Sequence, residues 1–202
     1  MAISLVAVGQ KWTATIANLI IAAINSVASN AVTPTSVAGA GVSLSGTKVV
    51  AAAAATINVN GCFTSTYDWY RIEFDLTTST AENITLRLRL AGADANTAYD
   101  RQSITGTSAT ATTGQGLNSS AMALSQTSLA ARQTGTVKMY GPALATATAA
   151  TVQSITTPNP MTTSAGLYLG GIQHRTTTAY DGFSIVIGTG TLNGTIRIYG
   201  MN

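Results

Sequence analysis

The chain has 202 residues, enough for one β-domain with an appendage or for two small domains, and a formal net charge of +3. Only 8% of its residues are charged, against about a quarter in ordinary globular domains, so hydroxyls and small side chains, or neighbouring subunits, must cover its surface. Lys and Arg are scattered, which excludes a nucleic-acid stripe, and the one cysteine, Cys62, excludes a disulfide scaffold and reads as a small buried hydrophobe beside Phe63.

Residues 1–8 alternate as a short extended arm, and residues 13–29 carry a helical apolar period. Trp12, Ile16, Leu19, Ile20, Ile24 and Val27 form its stripe, while Ala14, Ala17, Ile21 and Ala22 leave the opposite side without strong polarity. Such a helix needs neighbours on most sides. A signal peptide is disfavoured by the late position of Lys11. Asn18, Asn25 and Ser26 interrupt the run before the roughly 20 apolar residues of a membrane span, so no membrane insertion is expected. The expectation is an anchoring or oligomerising helix within an N-terminal segment of residues 1–31.

Residues 32–46, with Pro34 and several Gly and Ser, read as a linker, and residues 47–202 as a single β-domain able to fold without what precedes it. The alanine run at 51–55 is expected to be extended or irregular because it feeds the alternating 56–60. Strands are predicted at 71–76, 84–90, 136–140, 151–156 and 166–173. In the clearest, Ile84, Leu86, Leu88 and Leu90 face the core while Thr85, Arg87 and Arg89 face out. Residues 106–120 are polar and aperiodic, an expected exposed loop, and 121–131 fit either a strand or a short helix. Residues 176–201 read as two strands joined by a tight Gly/Thr connection, an antiparallel hairpin. About eight strands at spacings near ten residues, without βαβ alternation, predict an all-β fold, an antiparallel jelly-roll β-sandwich preceded by an arm and one α-helix.

Candidate chemistry is sparse. His174 is the only histidine, so no His-based metal cluster exists, and a surface or loop position is expected rather than a catalytic base. Glu73 and Asp75 share one strand face, as a glycosidase pair would, but ion pairs to Arg87 and Arg89 on the next strand are the simpler expectation. Asp94, Asn96 and Asp100 lack the ligand run and closing Glu of a calcium loop. No phosphate loop or paired-cysteine motif appears, and no cofactor, metal or enzymatic activity is expected. A Tyr-Asp phrase recurs at Tyr67-Asp68, Tyr99-Asp100 and Tyr180-Asp181. Tyr99, Asp100, Tyr180 and Asp181 are candidate glycan contacts, weighed against Asp fixing turns and Tyr closing the end of the sandwich.

The stretches Asn-Gly-Cys-Phe-Thr-Ser-Thr-Tyr-Asp-Trp-Tyr-Arg-Ile, Leu-Arg-Leu-Arg-Leu-Ala-Gly, Thr-Ala-Tyr-Asp-Gly-Phe and Gly-Thr-Ile-Arg-Ile-Tyr-Gly together resemble virion proteins of tailed bacteriophages, of the minor tail, tail-fibre or head-decoration kind. The likeness spans residues 56–201, and residues 9–26 resemble virion-attachment segments. It implies a jelly-roll module displayed on a particle as a homotrimer. An N-terminal part would dock on capsid or tail proteins, and a host-surface glycan is a candidate partner. Without heptads or β-helical repeats a compact knob is expected rather than a long fibre. The alternative is a secreted or cell-surface carbohydrate-binding module, and nothing suggests nucleic acid as a partner.

Overall fold

The structure, a computed structural model, describes residues 30–107, 110–125, 131–158 and 165–202. The predicted helix stripe of Trp12, Ile16, Leu19, Ile20, Ile24 and Val27 lies outside the described residues. Beyond Asn30, what is described belongs to the unit Ala31–Asn202 and is built from strands. In chain order they are β1 (Ser36–Ala38), β2 (Val42–Ser45), β3 (Lys48–Ala54), β4 (Thr56–Asn60) and β5 (Trp69–Thr78). There follow β6 (Ile84–Leu90), β7 (Ala93–Asp94), β8 (Tyr99–Thr107), β9 (Thr110–Ser119) and β10 (Met122–Ala123). The last are β11 (Ala131–Tyr140), β12 (Thr148–Pro158), β13 (Gly166–His174), β14 (Gly182–Ile187) and β15 (Leu192–Met201).

They form two antiparallel sheets packed on a shared core, a β-sandwich-like arrangement. The nine-stranded sheet runs β2-β3-β15-β5-β11-β12-β13-β8-β9, and the smaller one runs β1-β4-β14-β6-β10 with β7 beside β6. Period-2 patterning explains the layering. Tyr70, Ile72, Phe74 and Leu76 of β5, Ile196 and Ile198 of β15, and Val137 and Met139 of β11 point to one interior face. Ile57 and Val59 of β4, Leu86 and Leu88 of β6, and Phe183 and Ile185 of β14 oppose them.

Several expectations change. The last two strands are not a hairpin: β14 pairs with β4 and β6, whereas β15 pairs with β3 and β5 in the other sheet. Both strands have one apolar side, and a connection that crosses the core buries both sides at once. Residues 32–46 are not a linker. Val32 N–H donates to Ile198 O (2.8 Å), β1 pairs with β4 and β2 with β3, so a chain starting near Ser45 would strip a strand from each sheet. Gly39 and Gly41 lie there at φ +134° and +73° because a Cβ would sit 2.2 and 1.8 Å from the carbonyl oxygens of Thr56 and Ala52. The composition that suggested flexibility serves close backbone approach.

The alanine run is strand β3, and residues 106–120 are largely β8 and β9. In β6 the alternation ends early: Leu90 is exposed and Arg89 is buried. Cys62 is buried as expected, and burial pushes its thiol far above the ordinary range. In the folded protein at neutral pH a small alkylating reagent should therefore leave Cys62 unmodified, and denaturant should release a single reactive thiol. Rapid labelling without denaturant would contradict this burial.

Candidate functional site

The repeated Tyr-Asp phrase is explained by structure rather than by ligand contact. Tyr99 and Tyr180 are buried, so neither ring offers a face to a sugar. Instead both flank His174, with ring centroids 4.3 and 5.3 Å from the imidazole. The Tyr99 hydroxyl accepts from Leu88 N–H (2.9 Å) and donates to Ala95 O (2.9 Å), tying the two sheets together. Asp100 accepts from Asn118 N–H (2.8 Å) and pairs with Arg175 (3.0 Å). Asp181 accepts from Ala91 N–H (3.0 Å), and its own carbonyl receives the N–H groups of Cys62 and Phe63. The phrase is a recurring strand-start device.

His174 is buried, not the surface or loop residue expected. Its Nε2 donates to Thr97 O (3.1 Å), which fixes the neutral tautomer and leaves Nδ1 to accept from Thr176 Oγ1 (2.9 Å) or Tyr180 OH (3.3 Å). Among the described residues no carboxylate or serine joins it, and the arrangement is a packed polar knot rather than a triad. Burial holds the imidazole below its ordinary value of 6.5. The unfolded chain therefore binds a proton that the folded one resists, and stability present above pH 6.5 is lost as pH falls below it. The melting temperature should fall as the pH drops below about 6.5, and His174→Gln should flatten that fall. Asp75, held below the ordinary range by Arg132, loses its contribution only at more acidic pH. A wild-type curve flat across this window would refute the burial argument.

The carboxylate pairings also differ from expectation. Glu73 meets Arg71 (3.3 Å) and Asp75 meets Arg132 in two bonds (2.8 and 2.6 Å), because β5 and β6 lie in different sheets. Arg87 and Arg89 both turn to Asp94. Among the described residues no three His, Cys, Asp or Glu side chains gather as a metal site.

The candidate functional site is a different surface, the outer face of the nine-stranded sheet. Three adjoining depressions share Gln153, Leu169, Gln102, Gln115 and Gly171 and make one open cleft across β15, β5, β11, β12, β13, β8 and β9. Six strand steps of about 4.8 Å give it a length of about 29 Å. Its central hollow has a volume of about 880 Å³, within the size range of ligand sites but open to solvent. Gly171 lies on its floor with open space where a Cβ would stand. At the sheet's end Trp69 and Tyr140, cross-strand partners, stack at 5.9 Å, and Arg71 lies 4.7 Å from the centre of the Tyr199 ring.

Charge divides this face. Arg71, Glu73, Asp75, Arg132, Lys138, Arg197 and Lys48 stand on β5, β11, β15 and β3. Strands β12 and β9 carry no ionisable side chain. The sequence held a signal for this: no Asp, Glu, Lys or Arg occurs between Lys138 and Arg175, or between Arg101 and Arg132. Sequence reasoning missed the cleft because register places these uncharged stretches side by side. Compared with protein-family models, curated proteins and solved structures, the chain finds no match.

Proposed function

We propose that this chain is a structural protein of a tailed-bacteriophage virion. It would present a jelly-roll module on the particle, docked through residues 1–31 to capsid or tail proteins and working as a homotrimer. The observation that carries a contact role is the outer face of the nine-stranded sheet, a broad surface that no described segment covers, with half-exposed Ile104, Ile155 and Leu167. The resemblance of residues 56–201 to virion proteins supplies the setting. The polar side chains that could suggest catalysis, His174, Asp100 and Asp181, are engaged in structural bonds, which favours binding over reaction. Immunogold labelling of purified particles should place the chain on the head or tail. Particles that incorporate none of it would overturn the proposal.

A second reading, attachment to a host-surface glycan or a carbohydrate-binding module outside any virion, is favoured by the Trp69–Tyr140 pair beside the cleft. Tyr140 is 43% exposed and can offer ring surface to a pyranose. Titration with host-surface polysaccharide should then show binding that Tyr140→Ala abolishes, and no binding by the wild type would remove this reading.

A further inference from the structure

We propose that the uncharged half of the nine-stranded sheet, the outer face of β12, β13 and β8 with the edge strand β9, is a contact surface for a second copy of this chain. The inference rests on the homotrimer reading and assigns that association a surface.

Four large aliphatic side chains adjoin on this face. Leu169 is the register partner of Ile104, and Leu167 of Ile155, with strands β8, β13 and β12 side by side. Ile104 and Ile155 are each 50% exposed and Leu167 45%, while Leu117 on β9 is 68% exposed. Aliphatic clusters of this kind on a soluble surface mark contact sites. Depletion of ionised side chains is the compositional sign of an interface core, and among the described residues the charges on this face are Asp100 and Arg175, paired with each other at its margin. Arg101 shares the opposite face with buried Tyr99 and Ser103.

The edge strand is an independent observation. Among the described strands β9 ends the sheet; it is exposed along most of its length and contains neither a charged residue nor a proline. Sheet edges are ordinarily blunted by lysine, proline or a covering segment, and an edge without them is a template for strand pairing.

The occupant follows from chemistry. A glycan chain wants aromatic faces, and the outward positions of β12, β13, β8 and β9 hold none. A different charged partner would find nothing there to fix its orientation. An aliphatic, uncharged surface meets the like surface of a neighbouring copy with no ion to desolvate beyond the marginal Asp100–Arg175 pair. A free-standing complex ordinarily buries roughly 800 Å² per partner. Copies already tethered side by side meet at high effective concentration, so a small patch suffices.

Sedimentation of the full chain across a dilution series tests this. The wild type should dissociate reversibly from a multiple of 20.5 kDa. Ile104→Lys with Ile155→Lys should raise the dissociation constant at least about tenfold, because each contact would bury an unpaired ammonium. Thr77→Lys, on the charged half of the same sheet, should leave it unchanged. Both isoleucines are half-exposed, and circular dichroism checks that the variant folds; Thr113→Lys on β9 is the substitute if it does not. A wild-type trimer whose dissociation constant ignores these lysines overturns the surface and leaves the trimer standing. A wild type that is monomeric at every concentration overturns both.

Discussion

Leu88→Ala lowers the unfolding free energy by about 2–5 kcal/mol, a core truncation at a site that cannot collapse. Leu88 is fully buried, opposite Phe183 in register, and its own N–H is held by the Tyr99 hydroxyl (2.9 Å). Strand β6 is thus pinned by β14 on one side and by Tyr99 beneath, so its backbone cannot move inward to fill the space. The neighbouring Arg87→Ala provides the contrast. Arg87 stands 3.9 Å from Asp94 and donates to Ser120 O (3.2 Å), with 29% of its side chain exposed. Its loss should cost about 1 kcal/mol or less after solvent screening. Equilibrium urea titrations of the two variants decide between them. If Arg87→Ala proved the more damaging, the side of β6 that faces the core would be misassigned.

The second large effect is at Arg89, which the sequence pattern places in solvent and the structure buries. Its guanidinium donates to Asn58 Oδ1 (2.9 Å), Asn60 Oδ1 (3.1 Å), Gly92 O and the Asp94 carboxylate. Asp94 in turn accepts from Ser184 Oγ (3.0 Å). The cluster ties β4, β6, β7 and β14 on the outer side of the smaller sheet. Arg89→Ala leaves two asparagine carbonyl oxygens without their donor and a partly buried carboxylate with Ser184 and the more distant Arg87 alone. A loss of about 3 kcal/mol is expected, most of it the penalty of the weakened pairing of the Asp94 charge. Joining Arg89→Met to Asp94→Leu removes both charges and should restore much of the stability. A double variant as unstable as Arg89→Ala would show that the geometry of the network matters, rather than the unpaired charge. Chemical denaturation with a circular dichroism readout distinguishes these outcomes.

The two arginines show where sequence reading stops. Both alternate outward in Leu-Arg-Leu-Arg-Leu, and period 2 alone assigns them one environment. Strand β7 then folds back beside the end of β6 and covers Arg89 but not Arg87. A cover supplied by another segment leaves no trace in the strand's own pattern. His174 repeats the lesson. Gly-Gly-Ile-Gln-His-Arg-Thr looks like a strand running into solvent, yet Tyr99 arrives from a distant part of the chain and the following loop folds Tyr180 back, so that the two enclose it.

The sequence by itself determined the all-β character of the described residues and the inward faces of β5, β14, β15 and of β6 as far as Leu88, because a buried strand face needs apolar residues at every second position. It also determined the inertness of Cys62 and the turn-fixing part of the Tyr-Asp phrase, both local consequences of residue type. Tertiary structure decided which strands share a sheet. Connections of similar length serve a hairpin and a crossing between layers, so the link from Ile187 to Leu192 reads alike in either case. It also turned residues 32–46 from an apparent linker into two strands and set the uncharged stretches of β8, β9, β12 and β13 on one face. Register between strands far apart in sequence is fixed by the whole core at once, and no local pattern contains it.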